Sequence, residues 1–183
     1  PDDYDEQPLE SDSVTVGDLD LSGIIDVVAW GESVSPGSSL GTVDNPFRLF
    51  VDGDLTLSGG VTMLGYIQVV TRGSIDISGN VTSSVSPVPD KNDSDAVWEA
   101  WTQSNLDAAG NTKIGWYAAG AITVSGNSSV VGQLYSNSTI SLNGGGNQTM
   151  NVIGGVTSAN VDINVNGGMV IRYAEISKKV VIP

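Results

Sequence analysis

Six carboxylates fall in the regular stretches of this chain: Asp18, Asp20, Asp52, Asp54, Asp76 and Asp162. Two or three carboxylates on neighbouring strands, with an Arg or Lys beside them, can hold a metal or move protons on a polysaccharide. When the stretches are laid over one another, Asp54 meets Ser74, Asp76 meets Thr56 and Thr123, and Asp162 lies under Ser141 and Thr123. No vertical pair of acids emerges, so no catalytic residue is assigned and no enzyme is expected. Asp52-Gly53-Asp54 has half the spacing of a calcium loop but lacks the further spaced acids and the bidentate Glu. No cofactor is expected, with Ca²⁺ at this loop only weakly supported, and no metal site is assigned. The chain has no His and no Cys, which excludes His-based triads, His or thiolate metal sites, and disulfides. Gly144-Gly145-Gly146 lacks the Lys-Ser/Thr that completes a phosphate loop and reads as a corner.

Trp98 and Trp101 are the binding candidates in the sequence. They sit in an insertion, about residues 86–113, that opens with the stiff run Ser86-Pro87-Val88-Pro89-Asp90. Asp93-Ser94-Asp95 can cap a helix from Ala96 to Ala108, with Gly110 as its stop. On that helix Val97, Trp98 and Trp101 share a face. The plainer reading is that this face folds back onto the rest of the chain. The sharper one is a platform for carbohydrate or a protein partner. Five Asn-x-Ser/Thr sequons, at Asn80, Asn92, Asn127, Asn137 and Asn147, are glycosylation candidates. Asn, Ser and Thr also serve as corner residues and polar ladders here.

The elements that position these residues are repeats. Gly53 to Thr62 can be laid on Gly73 to Thr82 at an offset of 20, with five of ten positions identical. Gly17 to Gly23 matches Gly53 to Gly59 at six of seven positions, at an offset of 36. Apolar pairs with one residue between them, Ile122/Val124, Ile140/Leu142 and Val161/Ile163, have the period of two of a strand buried on one face. Recurrence near 20 residues predicts stacked units. The expected fold class is all-β: a parallel β-helix (solenoid) of about seven coils, starting near residues 17, 35, 53, 73, 120, 138 and 159. A β-sandwich of short strands is the competing architecture. Residues 14–183 form one domain on this reading. The apolar run Ile24 to Trp30 is expected to cap its first edge, and Asp52 is expected to pair with Arg72 on the outer face. Residues 1–13 read as an acidic arm, solvated or laid across the first coil. The tail, with Lys178-Lys179 and Val180-Val181-Ile182, reads as a cap on the last edge.

Twenty-one acids against seven bases give a formal charge of −14. Such a surface repels nucleic acid and anionic lipid. No apolar run has the length of a membrane span, so no membrane insertion by this chain is expected. The opening at Pro1 points to processing or trimming, with any anchor removed.

The strings Leu49 to Gly59, Tyr117 to Asn127, Gly132 to Asn137 and Met169 to Tyr173 resemble the C-terminal β-solenoid domains of PilX-type pilus assembly proteins and related minor pilins. The resemblance covers roughly residues 45–175. It implies an extracellular, cell-surface location and a non-enzymatic structural or adhesive role, with other pilus or filament subunits or cell-surface glycans as partners. It brings no catalytic residues. The hydrophobic N-terminal helix of such proteins is not in this sequence. Bactofilins share the short Gly-rich rungs, but their coils are more uniform and are not expected to carry a Trp-bearing insert. A self-assembling extracellular filament or tube subunit is the alternative role, and a polysaccharide-binding or polysaccharide-active protein the third.

Overall fold

Short runs of alternating apolar and polar residues, broken every few positions by Gly, Asn or Ser, fold into strands that pair in parallel. The computed structural model describes residues 12–15, 17–145, 150–159 and 162–173. Most of the expected arm (1–11), the Asn147 sequon and the expected capping tail (174–183) lie outside these residues. The chain begins with β1 (Ser13–Thr15), β2 (Leu19–Leu21), β3 (Ile24–Asp26) and helix α1 (Val27–Val34). β4 (Phe47–Val51), β5 (Leu55–Ser58), β6 (Thr62–Leu64), β7 (Ile67–Thr71), β8 (Ile75–Ser78) and β9 (Thr82–Ser84) follow. Helix α2 (Asp95–Gly110) precedes β10 (Gly115–Ala118), β11 (Ile122–Gly126) and β12 (Ser129–Ser136). The last strands are β13 (Ile140–Gly144), β14 (Met150–Ser158), β15 (Ile163–Asn166) and β16 (Met169–Tyr173).

These strands make two parallel sheets. The six-stranded sheet has the order β15-β13-β11-β8-β5-β2. The ten-stranded sheet contains two rows, β1-β4-β7-β10 and β3-β6-β9, which merge on β12 and continue through β14 to β16. Leu55 lies opposite Ile75, Ile75 opposite Ile122, and Ile122 opposite Ile140. All four side chains are buried in one core with Leu49, Val69, Trp116 and Leu134 from the other sheet. Each such side chain contributes roughly 1.5–3 kcal/mol by leaving water.

The fold class differs from the expected one. The chain is not an all-β solenoid of seven coils; its described residues form an α/β arrangement of two parallel sheets with two helices. No strand forms between β3 and β4, where a coil was expected near residue 35. Asp26 Oδ1 accepts from the amides of Val28 and Ala29 at 3.0 and 3.1 Å, an N-cap that turns Val27–Val34 into α1. Trp30 of this helix then packs on Phe47, with ring centroids 4.9 Å apart. The strands are also unequal: β12 and β14 are long enough to span both rows of the larger sheet. β15 corrects the expected register by two residues, since Ile163 and Val165 face Ile140 and Leu142. Ser141 accordingly faces Asn164 rather than Asp162.

The corners between strands explain the repeated Gly-Asp. Asp18 Oδ1 accepts from the Asp54 amide at 2.9 Å, Asp54 Oδ1 from the Ser74 amide at 2.6 Å, and Ser74 Oγ from the Ala121 amide at 3.2 Å. Each layer thus fastens the next. A Cβ on Gly53 would stand 2.5 Å from both Asp18 Oδ1 and the Gly17 carbonyl carbon, so only glycine admits this approach. Asp18 and Asp54 are a vertical pair of acids: the offset of 36 aligns them, but a coil near residue 35 was expected between them, whereas β2 pairs directly with β5. Both serve backbone amides.

Candidate functional site

Helix α2 is the element that builds a groove. Its residues Ala108 and Leu106, with Trp101, pack with Ile114, Val131 and Ile153 in a second apolar cluster outside the main core. Polar bonds fix the helix in place. Buried Asn105 accepts from the Val85 amide at 3.0 Å and donates to the Trp101 carbonyl at 2.8 Å. Gln133 Nε2 donates to the Ala109 carbonyl at 3.1 Å. Trp101 Nε1 donates to the Ser86 carbonyl at 3.2 Å. The helix runs longer than expected at both ends, and Ser94 occupies the N-cap position without a side-chain capping bond.

Beside the half-buried Trp pair lies a cavity of about 210 Å³. The two indoles meet edge to face, with centroids 5.9 Å apart. Across from them, Ser129 is in register with Thr82 on one side and Asn151 on the other. These three residues form a polar row, its members one strand spacing of about 4.8 Å apart. Arg172, in register with Ile153, closes the end of the cavity and is shared with a wider depression along α2. That depression, about 860 Å³, is lined by Asp95, Trp98, Glu99, Thr102 and Gln103 besides Arg172.

The two tryptophans have different tasks. Trp101 follows the plainer expectation: its ring is packed and its N–H is bonded. Trp98 faces both cavities, and its indole N–H forms no hydrogen bond among the described residues. Val97 does not join them; it stands exposed. Thr82, Ser129, Asn151 and Arg172 were not singled out in the sequence, because strand pairing alone unites them. The 47-residue interval from Gly73 to Gly120 does carry Thr82 onto Ser129, so part of that signal was present.

The other candidates are dispersed. Asp52 binds Arg72 Nη1 at 2.7 Å, as its offset predicted, and Arg72 also covers the Phe50 ring. With Asp54 on a backbone amide, the carboxylates of the half calcium loop already serve protein partners. Among the described residues, no three acidic side chains gather as a metal site would require. Asn80 and Asn92 are exposed, whereas Asn127 and Asn137 are half-buried.

Compared with known proteins, the chain matches no family model, no curated protein and no solved structure. Nothing therefore identifies a PilX-type domain. The pilus, adhesion and cell-surface roles drawn from that resemblance are withdrawn together with the solenoid class on which they rested.

Proposed function

We propose that this chain is a non-catalytic saccharide-binding module, with Trp98 as the stacking platform and Trp101 and Arg172 beside it. The observation that carries this reading is Trp98: a large aromatic surface at the mouth of two adjoining cavities, with its N–H available to a ligand. Binding sites of this kind combine an apolar wall with a few convergent polar groups. Here the wall is indole, and the polar groups are the Thr82-Ser129-Asn151 row and the Arg172 guanidinium. A sugar ring offers the matching surface, apolar on its faces and hydroxylated at its rim.

Intrinsic fluorescence titrated with a panel of soluble oligosaccharides tests this. Saturable quenching or a blue shift is expected, lost in Trp98→Ala while the circular dichroism spectrum is kept. An unchanged signal across the panel would reject the reading.

A second reading, end-to-end self-assembly, draws on one observation. Ile163 and Val165, 44% and 51% exposed, stand at the ends of core columns whose previous members, Ile140 and Leu142, are fully buried. Exposed parallel edges can accept further strands. Sedimentation velocity over a range of concentrations separates the cases: growing species support assembly, and one invariant species excludes it.

A further inference from the structure

We infer that the groove selects uncharged saccharides over uronate-bearing ones, a deepening that rests on the saccharide-binding reading above. Three features point the same way. Among the described residues, the lining of the two cavities holds one cation, Arg172, against two carboxylates, Asp95 and Glu99. The remaining polar lining consists of hydroxyls and amides: Thr82, Thr102, Gln103, Ser129 and Asn151. Such groups both donate and accept hydrogen bonds, as sugar hydroxyls do, whereas a carboxylate only accepts. The third feature is the field of the whole protein. A chain with a formal charge of −14 lowers the local concentration of a polyanion and slows its encounter with any cleft.

Arg172 alone does not reverse this balance. Its side chain is exposed, where its attraction for a carboxylate is weakened by water and salt. Its fork of N–H groups fits a carboxylate best, but it also donates to hydroxyl and ring oxygens. Electrostatics thus disfavours the acidic sugar while hydrogen bonding and stacking favour the neutral one.

The experiment compares neutral oligosaccharides (β-glucan, mannan and chitin fragments) with oligogalacturonate and oligoalginate of equal length, by calorimetry at low and physiological salt. Neutral chains are expected to bind, and uronates to bind at least roughly tenfold more weakly at low salt. That gap should narrow as salt rises, and also in the double variant Asp95→Asn, Glu99→Gln. Uronates binding as well as or better than neutral chains would overturn the selectivity and leave the saccharide site standing. A gap that persists unchanged in salt and in the double variant would overturn it too. If neither class binds, the saccharide reading itself fails and the inference falls with it.

Discussion

Tyr117 is buried in β10, and its hydroxyl has no partner among the described residues. Burial disfavours the phenolate and pushes its pKa up from 10.0 to about 12. Below pH 10 both folded and unfolded chains keep this proton. Between pH 10 and about 12 the unfolded chain ionises while the folded one does not, so stability falls as pH rises through that window. The slope is about 1.4 kcal/mol per pH unit. Denaturant titrations of wild type and Tyr117→Phe should differ in that slope above pH 10. Below pH 10 the variant should be equal or more stable, since it removes an unsatisfied buried group worth about 1–3 kcal/mol. Gly73 supplies the second test at this scale. A Cβ there would run into Asp54 Oδ1 and the Gly53 carbonyl, so Gly73→Ala should cost about 1–3 kcal/mol in urea unfolding. Gly168→Ala, with no atom within 4 Å of the new methyl group, is the control and should change little.

Between residues and the whole stand the two helices, and each depends on one side chain. Asn105 is fully buried and ties α2 to the Val85 amide. Asn105→Ala leaves the Val85 amide unsatisfied, at a cost of about 1–3 kcal/mol. It should also loosen the groove, so saccharide affinity should fall along with stability. A variant that binds as tightly as wild type would show that α2 does not shape the site. For α1, Asp26→Ala removes the N-cap and should cost about 1 kcal/mol by thermal or chemical unfolding. The helices are where the fold departs from repetition. Val27 to Trp30 belong to the apolar run expected to cap the first edge, and the Asp26 N-cap and the packing of Trp30 on Phe47 select a helix there.

For the molecule as a whole, charge sets the conditions of stability. A formal charge of −14 places like charges within a Debye length of one another, and compaction brings them closer. Raising the ionic strength from about 0.01 to about 0.15 M should therefore raise the melting temperature. A fall would mean that attractive pairs such as Asp52–Arg72 outweigh the repulsion, against the small value expected of an exposed pair.

The sequence by itself determined the pairing of strands through most of the chain. Recurrence near 20 residues and apolar pairs two residues apart leave few alternatives to Leu55 over Ile75 or Ile122 over Ile140. It also determined the Asp52–Arg72 pair, through a fixed offset, and the existence of α2, within about two residues of its expected ends. Only the tertiary structure decided which stretches would break the pattern, since the helix at Val27–Val34 adds to its Asp26 cap the packing of Trp30 on Phe47 from a distant strand. The groove was likewise hidden: Thr82, Ser129, Asn151 and Arg172 are ordinary polar residues until parallel pairing sets their strands side by side and α2 leans Trp98 over them.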